Sequence, residues 1–510
     1  MPRLVRRSLA ATGSTALLAA ALLTAPGASA AAATTCQGKA VTIDGTGQAA
    51  VTGTPGNDVI AASQGSTVTA LAGDDTICVL PGTATTATSV DAGEGNEGNE
   101  GKDSVDTSAL PAGAVVTTTL GEGEDTYTGG AASDQVDAGA GTDTVVTGAG
   151  DDTVESGTAG QPNGDKVDLG VGDDVLTFRG VQTPAGSVDL GEGNNTLLDT
   201  DGGVVAITAT TRTVERNGVV VLRWQGNVTT YVVDSTATSV SFTGTNAAET
   251  FVLRDPAVGA TPTTVAVDMA GGDDTVTIRS NVLDGSSWNG GDDTDLFEIA
   301  FDYTQLLLDL RSTQFETGAP DVTVDQRVSN FENVAAVTAT MTVKGSDGAN
   351  GLNLRGCDVV AVGRAGADSI DNRVAIDDAP ALTCTGSKLV ARGGKDDDSI
   401  DGAVGNDKLF GNKGEDFLTG NGGDDVIFGG DDVDRIQGND GDDKVRGGTG
   451  NDELGGNSGN DRVQGDQGDD RLLGHADKDV LVGGLGFDRA NGGEGFDRCN
   501  AVERRKKCER

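Results

Sequence analysis

Histidine and large aromatic side chains are scarce in this sequence of 510 residues. His475 is the only histidine, and phenylalanine, tryptophan and tyrosine together make up 3% of the chain. One histidine excludes zinc sites built from several histidines, and neither a Cys-x-x-Cys nor a His-Glu-x-x-His motif occurs. Few aromatic residues and 79 glycines are unusual for ordinary globular domains, whose cores are richer in large apolar side chains.

Positive charge and long apolar runs are also scarce. Lysine and arginine number 36 against 79 acidic residues, which gives a formal net charge of −43. We therefore expect no nucleic-acid partner, because phosphates would be repelled. No stretch after the first 30 residues is apolar over about 18 positions, so no membrane span is expected. A Gly-x-Ser-x-Gly motif is absent as well, and a Ser-His-Asp triad would have to use His475.

The first 30 residues have the pattern of a signal peptide. Three arginines precede a short apolar stretch at 17–23, and Ala28-Ser29-Ala30 fits a cleavage site for small residues. An uncleaved membrane anchor fits less well, because the apolar stretch is short. The pattern predicts a secreted, extracellular protein, and it leaves open whether export uses the Sec or the twin-arginine route.

Six cysteines follow this segment. An even number of cysteines in an exported chain indicates disulfides. They fall into three pairs that are close in the sequence, and we predict these bridges: Cys36–Cys78, Cys357–Cys384 and Cys499–Cys508.

The dominant sequence feature is a repeat of nine residues. Twelve nonapeptides follow one another without insertion from Gly393 to Asn500, and each begins with glycine. One of them, residues 438–446, reads Gly-Asn-Asp-Gly-Asp-Asp-Lys-Val-Arg. The eighth position is aliphatic in the first ten copies and becomes Ala490 and Cys499 in the last two. The sixth position is always aspartate: Asp398, Asp407, Asp416, Asp425, Asp434, Asp443, Asp452, Asp461, Asp470, Asp479, Asp488 and Asp497.

This spacing predicts a calcium site in each turn. Glycines at positions one and four permit positive φ, so the backbone can turn tightly and point carbonyl oxygens inward. One carboxylate per turn adds negative charge, and oxygen-only ligands suit Ca²⁺. The last three residues can form a short strand whose single aliphatic side chain faces a core shared by stacked copies.

The pattern resembles the RTX repeat of hemolysin-type calcium-binding proteins, Gly-Gly-x-Gly-x-Asp-x-U-x, where U is a large apolar residue. The resemblance implies a right-handed parallel β-roll with two nonapeptides per turn. It also implies Ca²⁺ between repeats n and n+2, at the twelve aspartates given above, with at most about ten sandwiched ions. Position four departs from glycine at Asp396, Asp432 and Asp477, which puts calcium binding at those turns in doubt.

Weaker copies of the repeat precede the regular array. Four adjacent nonapeptides occupy 120–155, and single copies occur around Asp58, Asp75, Asp174, Asn195, Asp274, Asp295, Asn350 and Asp368. Between them, runs rich in valine and threonine at 219–223, 229–233 and 337–343 read as strands. We therefore expect an all-β solenoid: degenerate repeats at 31–200, sparse repeats at 201–392, regular repeats at 393–500 and a basic cap at 501–510. A separate β-sandwich at about 201–345 is the alternative.

The functional prediction is a non-catalytic, secreted calcium-binding protein. Two alternatives stay open at this point. One is a β-helical enzyme acting on polysaccharides, such as a lyase or epimerase, and the other is a surface adhesin that uses the calcium stack as a spacer and binds a cell-surface or matrix ligand. An enzyme of this kind needs a groove with basic and aromatic side chains, for which Trp224 and Trp288 are the only tryptophans.

Overall fold

The structure, a computed structural model, describes residues 35–93, 101–234, 236–254, 264–280, 285–299, 305–311, 314–317, 326–373, 382, 384 and 386–509. The predicted signal peptide at residues 1–30 lies outside the described residues. Within them, all regular secondary structure is β-strand and none is helix. The prediction of an all-β fold is confirmed.

One sheet, which we call the long sheet, extends along nearly the whole described chain. Its 22 described strands run in chain order, and each is parallel to the next. The strands are Ala50–Thr52, Thr67–Thr69, Thr88–Asp91, Val115–Thr119, Ser133–Asp137, Thr153–Ser156, Val175–Phe178, Thr196–Asp199, Thr230–Asp234, Thr250–Arg254, Thr275–Arg279, Leu296–Ile299, Asn333–Val337, Gly351–Arg355, Ser369–Asp371, Ser399–Asp401, Phe417–Gly422, Arg435–Asp440, Glu453–Ser458, Arg471–Ala476, Arg489–Glu494 and Arg504–Lys506.

Two sheets face the long sheet. The N-terminal opposing sheet has eight strands: Ile43–Gly45, Val59–Ser63, Thr76–Leu80, Ser104–Asp106, Thr126–Thr128, Thr144–Val146, Lys166–Asp168 and Ser187–Asp189. The C-terminal opposing sheet has 18 strands: Gly203–Thr208, Thr213–Arg216, Val219–Arg223, Ala237–Thr243, Thr264–Asp268, Ser287–Asn289, Leu306–Asp309, Gln314–Thr317, Gln326–Ser329, Thr340–Lys344, Asp358–Ala365, Lys388–Lys395, Lys408–Lys413, Val426–Asp431, Lys444–Thr449, Arg462–Gln467, Val480–Leu485 and Arg498–Asn500. Three short pairs lie outside these sheets: Thr35–Cys36 with Lys39–Ala40, Glu122–Gly123 with Ala140–Gly141, and Pro162–Asn163 with Val181–Gln182.

Successive strands alternate between the long sheet and its opposing sheet, which makes a parallel β-solenoid. In the regular array, paired residues are 18 positions apart, as in Leu418 with Ile436 and Val445 with Val463. A separation of 18 is two nonapeptides, so each turn of the solenoid contains two repeats. The predicted solenoid and its period are confirmed.

The core lies between the two layers and is filled by the eighth position of each repeat. Side chains alternate between the faces of a strand, so one residue per strand points inward while its neighbours point out. The eighth residues of all twelve repeats are at most 5% exposed, from Ile400 to Cys499. A single nonapeptide cannot bury such a residue, which is why the turns are stable only as a stack.

The middle of the chain belongs to the same solenoid. The long sheet continues without a gap from Thr196–Asp199 through Gly351–Arg355, so the strands near 201–345 do not form a β-sandwich of their own. Two antiparallel excursions interrupt the opposing sheet, at 203–223 and 306–329. The single strand predicted at 337–343 is wrong: the chain crosses between the sheets at Thr338 and Ala339 and forms two strands.

All three predicted disulfides are present. The last bridge holds the C-terminal segment against the end of the array, where Cys508 packs on the core. Arg504–Lys506 adds a final strand to the long sheet beside Arg489–Glu494, and its three basic side chains are exposed. The segment predicted as a cap thus extends the solenoid by one strand that carries positive charge.

Replacing Cys508 with serine should lower the free energy of unfolding by about 2–3 kcal/mol, because a short loop is no longer closed in the unfolded chain. Urea unfolding in calcium measures this loss. A peptide map of the unreduced protein should contain one fragment with Cys499 and Cys508 joined; a free Cys508, or one joined to a second chain, would contradict the bridge.

Candidate metal centre

Each repeat of the array forms a strand and then a tight turn that ends at the conserved aspartate. In the repeat that starts at Gly438, the strand ends at Asp440, the turn follows, and Asp443 precedes the next strand, Lys444–Thr449. The backbone has positive φ at Asn439 (81°) and Gly441 (130°), which are positions two and four. Asparagine and glycine tolerate this conformation better than other residues do.

The prediction that glycine at position one supplies positive φ is wrong. No glycine at this position of the twelve repeats has positive φ in the structure. Glycine is needed there because of space: a Cβ on Gly438 would overlap with Asp443 Oδ2 and lie 2.8 Å from the carbonyl oxygen of Gly456. The glycine at position one therefore makes room for the carboxylate and for the next turn of the solenoid.

Aspartate is accommodated where position four lacks glycine. Asp396, Asp432 and Asp477 have positive φ of 75°, 79° and 69°, so these turns keep the conformation of the others. His475, at position two of its repeat, is exposed on a strand and also has positive φ, 82°.

The aspartates form two hydrogen-bonded rows, one along each edge of the solenoid. One oxygen of each carboxylate accepts a hydrogen bond from a backbone N–H one turn earlier, and in every case except Asp407 the donor is an aspartate. Asp425 N–H donates to Asp443 Oδ1 (2.8 Å), and Asp443 N–H donates to Asp461 Oδ1 (2.9 Å). The row before the long sheet runs Asp398, Asp416, Asp434, Asp452, Asp470 and Asp488. The row before the opposing sheet runs Asp407, Asp425, Asp443, Asp461, Asp479 and Asp497.

The second oxygen of these carboxylates has no partner among the described residues. In eleven of the twelve aspartates, all except Asp407, Oδ2 is buried and accepts no hydrogen bond. A buried carboxylate oxygen without a partner is unfavourable by several kcal/mol, so a bound cation would stabilise it. This chemistry fits Ca²⁺, which coordinates oxygen atoms only.

Backbone carbonyls would have to complete such a site. Among the described residues, no group of three or more histidine, cysteine, aspartate or glutamate side chains is close enough to hold a metal ion. One carboxylate per turn with carbonyl oxygens from adjacent turns is a ligand set for a hard cation, since softer metals prefer nitrogen or sulfur. The role of the individual aspartates as ligands stays a prediction.

Asp407 differs from the other eleven. Its Oδ1 accepts the N–H of Leu389 and its Oδ2 accepts the N–H of Ala403 in its own turn, both at 2.6 Å. The same contact occurs in three turns of the upstream part of the chain. In each of them an acid or amide side chain accepts the backbone N–H of the residue four positions earlier, and these side chains belong to Asp58, Glu249 and Asn350. Where the turn itself donates to the side chain in this way, the oxygen already has a partner and a cation is not needed to satisfy it.

The rows extend upstream of the regular array, and sequence reasoning missed part of this extension. Asp103 and Asp165 belong to a row on the N-terminal opposing sheet that runs from Asp58 through Asp75, Asp103, Asp125 and Asp143 to Asp165. The signal was present as Gly-Lys-Asp-Ser-Val at 101–105 and, in a weaker form, as Asn-Gly-Asp-Lys-Val at 163–167, but insertions shift it out of the nine-residue phase. Glu332 and Glu503 also take the place of aspartate, since their Oε2 atoms accept the N–H of Asp295 and Asp488.

Burial raises the pKa of most of these carboxyl groups in the metal-free fold. The pKa of Asp425 and of Asp434 rises to about 8, first because both are buried and then because acidic neighbours repel the negative charge, while an N–H donor opposes the shift. The pKa of Asp443 rises to about 7 for the same reasons. The metal-free fold therefore favours protonated carboxyl groups.

Without metal, the fold should be most stable in acid. Because the folded pKa values lie above the usual value near 4, protonation stabilises the fold below that pH, and this stability is lost as the pH rises through about 6–8. After removal of calcium on a chelating resin, we expect more β-structure by circular dichroism at pH 5 than at pH 8. Calcium should bind less tightly at pH 5, because protons compete. A metal-free β-signal that increases with pH would contradict this.

Two isosteric substitutions distinguish a turn whose carboxylate has an unpartnered oxygen from one whose carboxylate is fully hydrogen-bonded. Asp443→Asn should reduce the number of bound calcium ions and weaken binding at neighbouring sites, since the unpartnered oxygen is replaced by an N–H₂ group. Asp407→Asn should destabilise the protein by about 1–3 kcal/mol with or without calcium, because an N–H₂ group would face an N–H donor, but should leave the number of ions unchanged. Equilibrium dialysis gives the count. Equal loss of calcium in both variants would show that the turn of Asp407 also opens to bind metal.

Comparisons with known proteins agree with this geometry. A family model described as the RTX calcium-binding nonapeptide repeat matches residues 52–82, 119–154, 390–418, 419–454 and 455–490. A search of curated proteins finds no match. The described residues include no helix with the length and apolarity needed to cross a membrane. The matched regions of this chain are therefore RTX-type nonapeptide repeats, a kind of repeat that binds Ca²⁺.

Proposed function

We propose that this is a secreted, non-catalytic protein whose nonapeptide array folds when calcium binds. The observation that carries the proposal is the set of eleven buried carboxylates, in two rows, that each retain an oxygen without a partner. At neutral pH these charges repel one another one strand spacing apart, and a cation between turns removes the repulsion. The free energy of calcium binding then becomes free energy of folding.

An extracellular location is supported by three features. The N-terminal segment has the pattern of a signal peptide, and three disulfides require an oxidising compartment. Millimolar calcium outside cells is sufficient for weak sites, and we expect dissociation constants of roughly 10⁻⁴ to 10⁻³ M. RTX repeat proteins are typically secreted. N-terminal sequencing of the protein from culture medium should begin at Ala31; cell-associated protein with residues 1–30 intact would refute this part.

The test of coupled folding and binding is a metal titration. Far-ultraviolet circular dichroism and bound calcium should change together over the same concentration range, and magnesium should have no effect at equal concentration because it demands tight octahedral geometry. A constant β-signal while calcium binds would show preformed sites and would refute folding on binding.

The position of the tryptophans supports a non-catalytic role over a polysaccharide-active enzyme. Trp224 is 4% exposed and Trp288 is 1% exposed, and both make tilted contacts with other aromatic rings in the core. Neither forms the exposed platform on which an enzyme groove would bind a sugar chain. Loss of polymer viscosity on incubation of acidic polysaccharides with the protein in calcium would overturn this proposal.

A further inference from the structure

The row of side chains that accept backbone N–H groups before the long sheet is interrupted at one turn, and a cavity lies beside this turn. At the turn before Thr230–Asp234, the N–H of Thr229 donates to the carbonyl oxygen of Asn195 (3.0 Å), and the next carboxylate is Glu249, one turn later. The hairpin of the first antiparallel excursion lies beside this gap. Together they line a cavity of about 230 Å³ that opens to solvent.

The cavity is lined mostly by polar groups. Four aromatic or charged side chains contribute, which are Arg212, Trp224, Tyr231 and Glu249. The rest of the lining is small or hydroxylic: Ala209, Thr210, Gly226, Asn227, Val228, Thr229, Thr245, Ala247 and Ala248. This volume is below the roughly 300–1,000 Å³ of sites for drug-sized molecules, so it suits one small polar ring.

Two donors at the cavity have no partner in the described part of the chain. Trp224 is 4% exposed, yet its indole N–H makes no hydrogen bond. Arg212 is exposed to solvent, and its guanidinium forms no ion pair among the described residues. The backbone of Arg212 has positive φ, 52°, in the hairpin turn, and its carbonyl oxygen accepts the backbone N–H of Trp224 at 3.3 Å.

Acceptors lie on the other wall. Glu249 is 5% exposed and is fixed by Thr245, whose N–H donates to Oε2 at 2.9 Å and whose hydroxyl donates to Oε1. The hydroxyl of Tyr231 donates to the carbonyl of Val228 (3.3 Å), which leaves its oxygen free to accept. The cavity thus presents a cation and an N–H donor on one side and a carboxylate on the other.

We propose that this cavity binds one sugar ring that carries a carboxylate, a uronic acid unit. The ring carboxylate pairs with Arg212, which planar guanidinium geometry favours. Ring hydroxyl groups donate to Glu249 and accept the N–H of Trp224. A lone carboxylate with no second acid opposite it lacks the pair that sugar hydrolysis requires, so we expect binding without hydrolysis at this site.

Tryptophan fluorescence tests the proposal directly. The chain has only two tryptophans, and Trp288 is buried with its indole N–H bonded to Gln326, away from the cavity. In the full-length Trp288→Phe variant, kept in millimolar calcium, all indole emission comes from Trp224. Glucuronate should change this emission with saturation, and glucose should bind at least roughly tenfold more weakly, because it lacks the carboxylate.

Arg212→Ala should weaken glucuronate binding about tenfold or more and leave the binding of glucose unchanged. Arg223→Ala is the matched control, since Arg223 is exposed, precedes Trp224 by one residue and does not line the cavity. Saturation-transfer NMR on the unmodified protein repeats the comparison should Trp288→Phe fold poorly. Absence of a glucuronate signal in both measurements, or equal weakening by the two arginine variants, would overturn the proposal.

Discussion

Removal of calcium at pH 7.5 is expected to unfold the array from residue 393 to residue 509. Eleven aspartates there have an unpartnered buried oxygen, and each occupied site contributes about 1.4 kcal/mol at a calcium concentration ten times the dissociation constant. Summed over the stack, roughly 10–15 kcal/mol is lost on chelation, which is as large as the whole stability of a typical domain. Hydrogen exchange of the full chain, with and without a chelator, measures the loss strand by strand.

The same experiment has an internal control between Gly203 and Arg254. This segment packs Trp224, Tyr231, Phe242 and Phe251 in successive ring contacts. Its buried carboxylates are satisfied by protein groups: Asp234 pairs with Arg254 (2.9 Å), and Glu249 accepts the N–H of Thr245. Its amides should therefore remain more protected in chelator than those of the array. Equal protection of both segments with and without calcium would contradict a calcium-dependent array.

Val463→Asp is expected to abolish calcium-induced folding of the array. Val463 is fully buried and pairs in register with Val445 and Leu481, which are also in the core. A charged group there has no partner and costs several kcal/mol, and parallel pairing transmits the disruption to both adjacent turns. The variant should show no increase in β-signal when calcium is added.

Two controls separate charge from volume and position. Val463→Ala leaves a cavity but no charge, so it should lower stability by about 1–3 kcal/mol and still fold in calcium. Arg462→Ala changes the adjacent residue, which is exposed and points outward, and should have little effect. Folding of Val463→Asp equal to that of Arg462→Ala would mean that the inward register is different from the one in the structure.

Local sequence determined the period, the register and the pairing of cysteines. Strict nine-residue spacing places Val463 inward and Arg462 outward, because both follow from the alternation of side chains on a short strand. The cysteine pairs are close in the sequence, so their partners followed from proximity. The sequence also predicted the class of metal, since glycine turns with one aspartate per repeat suit a cation that coordinates oxygen atoms.

Tertiary structure decided which carboxylates are available to a cation and where the hydrogen-bonded rows of carboxylates continue upstream. Asp407 has the same repeat pattern as Asp443, but both of its carboxylate oxygens accept backbone N–H groups, those of Leu389 and Ala403. Asp103 and Glu332 enter rows through hydrogen bonds to residues 28 and 37 positions earlier, a separation that no nine-residue pattern encodes. The cavity beside Trp224 likewise forms only because the hairpin of the first antiparallel excursion meets the turn between Thr245 and Glu249. These features depend on contacts between turns, and insertions between the turns hide such contacts from a reading of the sequence alone.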